Sequence, residues 1–310
     1  MPSICKDEIR RLCHSVGACA TGFAAVAPVP NTTRGLYERW IAESRNSSME
    51  YMEKYVDIRN NPAQLLDGAK TLICCAFAYA TNGTTRHPLF ADYALGRDYH
   101  EVLRQRLETV CRRLEDAVPG SVTRICVDTA PLRERFWASR AGVGFIGLNN
   151  QLIVPGIGSR VFLAEILWSG EVTPDESLEY ERCCGCRACV VSCPMKALDG
   201  DGGIDCRRCL SYLTIEHHGD FSSTLKLPGR IYGCDICQDV CPYNRNARKT
   251  DVIEEFQPTE ELQGIDIESI LAMSQSDFSR LFSHSAVRRA KLAGLLRNAH
   301  HHTTDGYLED

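Results

Sequence analysis

The chain has 310 residues, room for two domains, and its 44% hydrophobic and 24% charged content is that of a soluble globular protein. A formal net charge of −5 argues against a protein that coats nucleic acid indiscriminately. No apolar run reaches the roughly eighteen residues of a membrane span, and the start, MPSICKDEIRRLCHSVG, is charged too early for an export signal. A cytoplasmic location without a membrane partner is expected.

In chain order, residues 1–172 read as one α/β-type domain. Short apolar runs predict strands over 71–79 (TLICCAFAY), 122–127 (VTRICV), 151–154 and 161–167 (VFLAEIL). Between the first two, Leu103, Leu107, Val110, Leu114 and Val118 recur at helical spacing and predict a helix over 99–118. Asp98 with Glu101 is an acidic version of a capping box at its start. Glycines cluster in AGVGFIG (141–147) and PGIG (155–158), which suits either turns or close approach of backbone to a ligand. A polar linker follows, then a cysteine-rich module over 173–248. The segment 249–310 holds an amphipathic helix near 267–273 and a helix-compatible stretch, SAVRRAKLAGLLRNA.

Cysteine use is the anomaly. Of 17 cysteines, seven lie between Cys5 and Cys126 and ten between Cys183 and Cys241. Without an export signal this points to metal or redox chemistry rather than disulfides. Cys183, Cys186, Cys189 and Cys193, followed by Pro194, reproduce the bacterial ferredoxin run C-x2-C-x2-C-x3-C-P. In two-cluster ferredoxins the fourth cysteine of that run ligates the other cluster, which demands a second run. Cys234, Cys237 and Cys241, followed by Pro242, supply its last three positions. The first slot holds Ile231, so the eighth ligand is Cys209 or Cys206. Crossing over the last cysteine of each run gives one 4Fe–4S cluster on Cys183, Cys186, Cys189 and Cys241. The other takes Cys193, Cys234, Cys237 and that eighth ligand. A pair of four-cysteine zinc sites is the competing reading, but it gives no reason for consecutive x2 spacings or for the prolines.

Five stretches carry a resemblance: YALGRDYHEVL (93–103), VDTAPLRERFWASRAGVGFIG (127–147), RCLSYLTIEHHG (208–219), YGCDICQDVCPYN (232–244) and SAVRRAKLAGLLRNA (285–299). Together they resemble the epoxyqueuosine reductase family of cobalamin-dependent tRNA-modifying enzymes. The resemblance implies an α+β architecture: a nitroreductase-like corrinoid-binding α/β domain, a two-cluster ferredoxin-like module and a short helical C-terminal segment. It favours Cys209 over Cys206. It also implies cobalamin between domain and module near Arg59, Arg135, Leu152, Leu163, Ser211, Asp235 and Ile236, and Asp128 as proton donor. Electrons would come from an external low-potential donor, and epoxyqueuosine in the tRNA anticodon loop would be reduced. A monomer is expected. Where the family usually has lysine and an aromatic, this chain has Leu148 and Arg160, both expected to line the pocket.

Several of these residues also have plain readings. Asp128 suits a turn after a strand; proton donation would call for burial to raise its pKa. Arg59 and Arg135 suit surface ion pairs. His100 fails the DxHxxG corrinoid motif, because position 103 is leucine, and is expected to be a structural helix residue. Arg288, Arg289, Lys291 and Arg297, a run of cations free of acids, suit either a solvated face or the phosphates of a stem-loop. Two other functions fit parts of the pattern: reductive dehalogenation, which usually carries an export signal, and electron transfer without a substrate, which leaves the first domain without a task.

Overall fold

The computed structural model describes residues 4–81, 86–178 and 182–303. Four strands, β1 (Ala20–Ala25), β2 (Thr71–Ala78), β3 (Thr123–Cys126) and β6 (Val161–Trp168), form one sheet in the order β1-β2-β6-β3. A hairpin of β4 (Phe145–Ile146) and β5 (Leu152–Ile153) stands apart. Every neighbouring pair in the sheet is antiparallel, so the architecture is α+β, with helices packed on an antiparallel sheet. β1 escaped the sequence reading because ATGFAA is short of the β-branched and aromatic residues that mark strands.

β2 is buried along its whole length, which explains its unbroken apolar run. Ile73, Cys75 and Phe77 face one core with helices α1 (Lys6–Ser15) and α4 (Tyr99–Ala117). Leu72, Cys74 and Ala76 face a second core with Trp137 and Ala138 of α5 (Glu134–Arg140). Helices α2 (Asn31–Ala42) and α3 (Val56–Asn60) lie between β1 and β2 in the chain. The N-terminus of α4 departs from a capping box. Asp98 accepts from the His100 N–H at 3.0 Å, while the Glu101 carboxylate faces His284 at 3.3 Å.

The cysteine-rich module contributes short helices α6 (Ala188–Val191), α7 (Leu210–Ile215), α8 (Ile236–Asp239) and α9 (Pro242–Arg245). Buried hydrogen bonds fasten it to the sheet domain. The Ser159 N–H donates to Asn244 Oδ1 at 2.7 Å, and Asn244 Nδ2 returns a bond to Ser159 Oγ at 2.9 Å. Gln238 Nε2 donates to the Tyr79 hydroxyl at 3.2 Å, and the Asp92 N–H donates to Asp235 at 2.7 Å. The glycine clusters serve this packing. A Cβ at Gly158 (φ +95°) would sit 2.1 Å from Asn244 Oδ1, and one at Gly144 would sit 2.3 Å from the Ile153 carbonyl oxygen.

The last segment runs through α10 (Glu260–Gln263), α11 (Ile267–Leu271), α12 (Gln275–Phe282) and α13 (Lys291–His301). Its core takes in Leu89, Phe90, Ile231 and Tyr232, while Ile253 and Phe256 join the first core. The basic stretch is not one helix. A 3-10 turn over Ala286–Ala290 ends at Lys291, where φ is +58°, and α13 begins there. Asn298 is wholly buried and donates to the carbonyls of Thr214 (2.8 Å) and Ile231 (2.9 Å). Replacing Asn298 by Leu leaves both carbonyls unpaired and is expected to cost about 1–3 kcal/mol or more, measured by anaerobic denaturant unfolding.

Candidate active site and cluster-ligand cages

β3 ends at Cys126, and the chain turns sharply: the Thr129 N–H donates to the Val127 carbonyl at 2.5 Å and the Leu132 N–H to the Ala130 carbonyl at 2.7 Å. Asp128 sits in this turn with φ +52°, a left-handed conformation that aspartate tolerates better than most residues. Its side chain is 56% exposed. The burial expected for a proton donor is therefore absent, and a different arrangement takes its place. His100 Nε2 lies 3.0 Å from Asp128 Oδ2, and His100 Nδ1 lies 2.7 Å from Asp98 Oδ1.

Burial pulls the His100 pKa down, but hydrogen bonds to Asp128 and Asp98 overcome it and raise the imidazole to about 9. His100, expected to be only structural, is thus a protonated link between two carboxylates. The sequence hinted at this only in the spacing of Asp98 and His100; Asp128 arrives from another element.

On the other side of the turn, Glu134 Oε1 accepts the Asp128 N–H at 2.5 Å. The Glu134 carboxyl is crowded by protein yet reached by solvent. Burial, then the neighbouring Asp128, pushes its pKa up to about 8. Behind it on β6, Glu165 is wholly buried, with no hydrogen-bond partner for either oxygen among the described residues. Burial and Glu134 hold the Glu165 carboxyl well above the usual range, so it is protonated.

Arg135 donates to the Asn150 carbonyl in the β4–β5 turn, the turn that also carries half-buried Leu148. Its charge is felt by Cys206 of the module. Tyr51 is 41% exposed, and its hydroxyl is raised by burial, by Glu216 and by Asp128. Arg59 donates to the Tyr51 carbonyl at 3.2 Å. Leu163 of β6, Ser211 of α7 and Ile236 of α8 are half-buried.

Three other expectations are corrected. Leu152 is 3% exposed and belongs to the second core. Asp235 is 1% exposed, and its carboxylate holds the Asp92 N–H and Gln238; both residues are framework. Arg160 is buried in an ion pair with Asp239 at 2.5 Å rather than lining the pocket.

The module gathers its cysteines in two groups. Burial raises the Cys189 thiol, and Cys183, Cys241 and Cys186 add to the shift. Burial likewise raises Cys237, with Cys234, Cys209 and Cys193 adding. Cys206 has Cys209, Arg135 and Asp205 around it and belongs to neither group. Backbone N–H groups point at several sulfurs: Ala197 at Cys193 (3.2 Å), Ile236 at Cys234, and Tyr212 and Ser211 at Cys209. Among the described residues no three such donors close on a point the size of one metal ion. Backbone N–H groups on the sulfurs are contacts that suit cluster thiolates.

Of the basic stretch, Arg288, Arg289 and Lys291 are exposed. Arg289 pairs with Glu216 at 2.8 Å and its charge reaches Asp128; that of Arg288 reaches Asp98. Arg297 is different. It donates to the carbonyls of Leu213, His217 and Gly219 and stacks on Phe221, so it ties the segment to the module and offers nothing to a phosphate.

Residues 182–244 match a family model described as "4Fe-4S double cluster binding domain". A chain that joins such a module to an α+β domain, with a proton-bearing pair at the cleft, is an iron–sulfur oxidoreductase. Residues 59–129 match "Epoxyqueuosine reductase QueG, DUF1730". The epoxyqueuosine reductase of Synechocystis sp. is 37% identical over 287 residues, covering 88% of this chain and 98% of the relative. That of Pseudomonas aeruginosa is 35% identical over 271 residues, covering 84% and 75%. A crystal structure of epoxyqueuosine reductase with an epoxyqueuosine-modified tRNA stem loop superposes with a TM-score of 0.86 at 30% identity, over 95% of this chain and 79% of that one. The Bacillus subtilis enzyme, solved with its catalytic aspartate loop swung out of the active site, gives 0.85 at 29% identity over the same shares. The chain belongs to the epoxyqueuosine reductase family.

Among the described residues, no helix is long and apolar enough to cross a membrane. The raised His100 value has a defined sign. In the unfolded chain the imidazole titrates near 6.5, in the fold near 9. The pair therefore stabilises fully below about pH 6.5, and that stability is lost as pH climbs through about 9. Imidazole resonances are expected to show His100 still protonated at pH 8, and Asp128→Asn to bring its titration down toward the ordinary value.

Proposed function

We propose that this protein reduces epoxyqueuosine to queuosine in tRNA, with electrons passing from an external low-potential donor through two 4Fe–4S clusters to cobalamin. The observation that carries this reading is the hydrogen-bonded His100–Asp128 pair together with two groups of four cysteines in the module. One cluster is held by Cys183, Cys186, Cys189 and Cys241, the other by Cys193, Cys209, Cys234 and Cys237. Segment 1–172 forms the corrinoid and substrate domain, 173–248 the cluster module and 249–310 the RNA-facing segment. The protein works as a cytoplasmic monomer.

Converting the epoxide to an alkene takes two electrons and two protons and releases one water. When bound, cobalamin supplies a strongly reducing cobalt centre for opening the strained ring. Arg59, Arg135, Leu163, Ser211 and Ile236 would hold it. Both His100 nitrogens are engaged by carboxylates. The protein's own part is proton delivery. His100 holds the resting proton, and Asp128, hydrogen-bonded to it, passes it to the oxygen released from the epoxide. Asp98 holds the other ring nitrogen and fixes the direction of transfer. Anaerobically purified protein is expected to contain about eight iron and eight sulfide per chain. In Asp128→Asn, clusters and bound corrinoid persist while turnover falls about 10²-fold or more. Stoichiometric zinc without labile sulfide, or parental turnover in the variant, overturns the assignment.

Substrate tRNA reaches the cleft over Arg288, Arg289 and Lys291. A solved relative contains a modified tRNA stem loop, and here the charges of Arg288 and Arg289 reach Asp98 and Asp128. Unstacked loop bases can enter a protein pocket while the stem phosphates rest outside. Arg288→Ala combined with Arg289→Ala is expected to weaken tRNA binding and to flatten the logarithmic salt dependence by about 0.7–0.9 per lost contact. Unchanged affinity and slope across a salt series would place the footprint elsewhere.

A further inference from the structure

The turn that carries Asp128 is anchored at its two ends by buried Val127 and Leu132, while Asp128 itself is exposed. Its carboxylate is tied to His100, a group that must let go as the proton moves. Its backbone bonds are the two tight local ones at Thr129 and Leu132, and Asp128 itself is left-handed. The remaining bond of the Asp128 main chain is the 2.5 Å contact from its N–H to Glu134 Oε1. Glu134 opens α5, whose Trp137 and Ala138 are locked in the second core, and a Cβ at Gly22 of β1 would lie 1.9 Å from the Ala141 carbonyl oxygen at the far end of that helix. The acceptor therefore sits on a core-packed helix while the donor sits on an exposed turn.

We infer that Glu134 is a positioning residue: its carboxyl latches the Asp128 backbone so that the aspartate stays over the cleft when its bond to His100 is broken. This rests on Asp128 being the proton donor. Glu134 touches neither substrate nor cofactor in this role and acts through Asp128.

The surroundings tune the latch. Asp128, His100 and Tyr99 face Glu134 from the cleft side, and Glu165, Cys74 and Cys126 face it from the sheet, with Arg135 beside it on α5. Glu165, buried without partners, stays neutral and leaves Glu134 the acid that can ionise. Burial and Asp128 delay that ionisation to about pH 8. Below it Glu134 accepts the Asp128 N–H as a neutral acid; above it, as a carboxylate, which makes the stronger hydrogen bond.

The test is amide hydrogen exchange of residues 127–132 in cluster-loaded protein, alongside steady-state kinetics on modified tRNA. Glu134→Leu keeps the apolar packing and removes the acceptor. Protection at Asp128 is expected to fall at least about tenfold, and kcat by a similar factor, with KM for tRNA within about twofold. Glu134→Gln keeps an acceptor oxygen and is expected to retain both protection and kcat. In the parent, protection at Asp128 corrected for intrinsic exchange is expected to rise several-fold as pH passes about 8, and in Glu134→Gln to stay flat. This comparison stands even if Glu134→Leu does not accumulate. Parental protection in Glu134→Leu, or a flat parental profile, overturns the latch. Loss of protection with unchanged kcat supports the latch and counts instead against Asp128 as the donor.

Discussion

The buried hydrogen bonds among Tyr79, Ser159, Asp235, Gln238 and Asn244 are the constraint on which the site depends. Buried polar groups carry a penalty unless paired, and these pair only when the module sits in one place against the sheet domain. α8 and α9, which begin beside the ligand cysteines Cys234, Cys237 and Cys241, are thereby fixed relative to β2 and β6. The cleft between domain and module has its width set by this seam. Apolar contact alone would permit sliding; directional bonds do not. Gly158 is needed there because any side chain would collide with Asn244.

Within that frame the electrostatics divide into a wet side and a dry side. On the wet side, His100 carries charge between Asp98 and Asp128 and keeps a proton within reach at neutral pH. On the dry side, Glu165 is buried without partners among the described residues, and burial with the nearby Glu134 holds its carboxyl well above the usual range. Three carboxyl side chains near the β3 end thus meet different surroundings: Asp128 is exposed and bonded to His100, Glu134 accepts the Asp128 N–H, and Glu165, opposite Cys126 in the sheet, is wholly buried. Exposure, not identity, separates them.

The negative total charge and the RNA substrate are compatible because attraction to phosphate is local. Screening at physiological salt limits exposed charges to a reach of about 8 Å. The charges of Arg288 and Arg289 reach Asp98 and Asp128, while Glu255 and Glu261 of the acidic stretch 251–268 are held in ion pairs with Arg106 and Arg280. The left-handed backbone at Lys291 splits the basic stretch in two. One half presents cations; the other, through Arg297 and Asn298, anchors the segment to the module.

The sequence by itself determined the chemistry that is written locally. The cysteine spacings pointed to a two-cluster 4Fe–4S module, since consecutive x2 spacings and a following proline need no distant partner to be recognised. Apolar periodicity located α4, β2 and β6, because burial on one or both faces leaves its period in the chain. What only the tertiary structure decided is whatever depends on residues far apart in sequence. His100 and Asp128 come from α4 and the end of β3, and no local pattern announces their contact. Leu152, Asp235, Arg160 and Arg297 looked available as isolated side chains, and were taken inward by partners on other elements. The antiparallel order of the sheet, the latch at Glu134 and the burial of Glu165 likewise arise from packing, where the energy of a polar group is set by what happens to surround it.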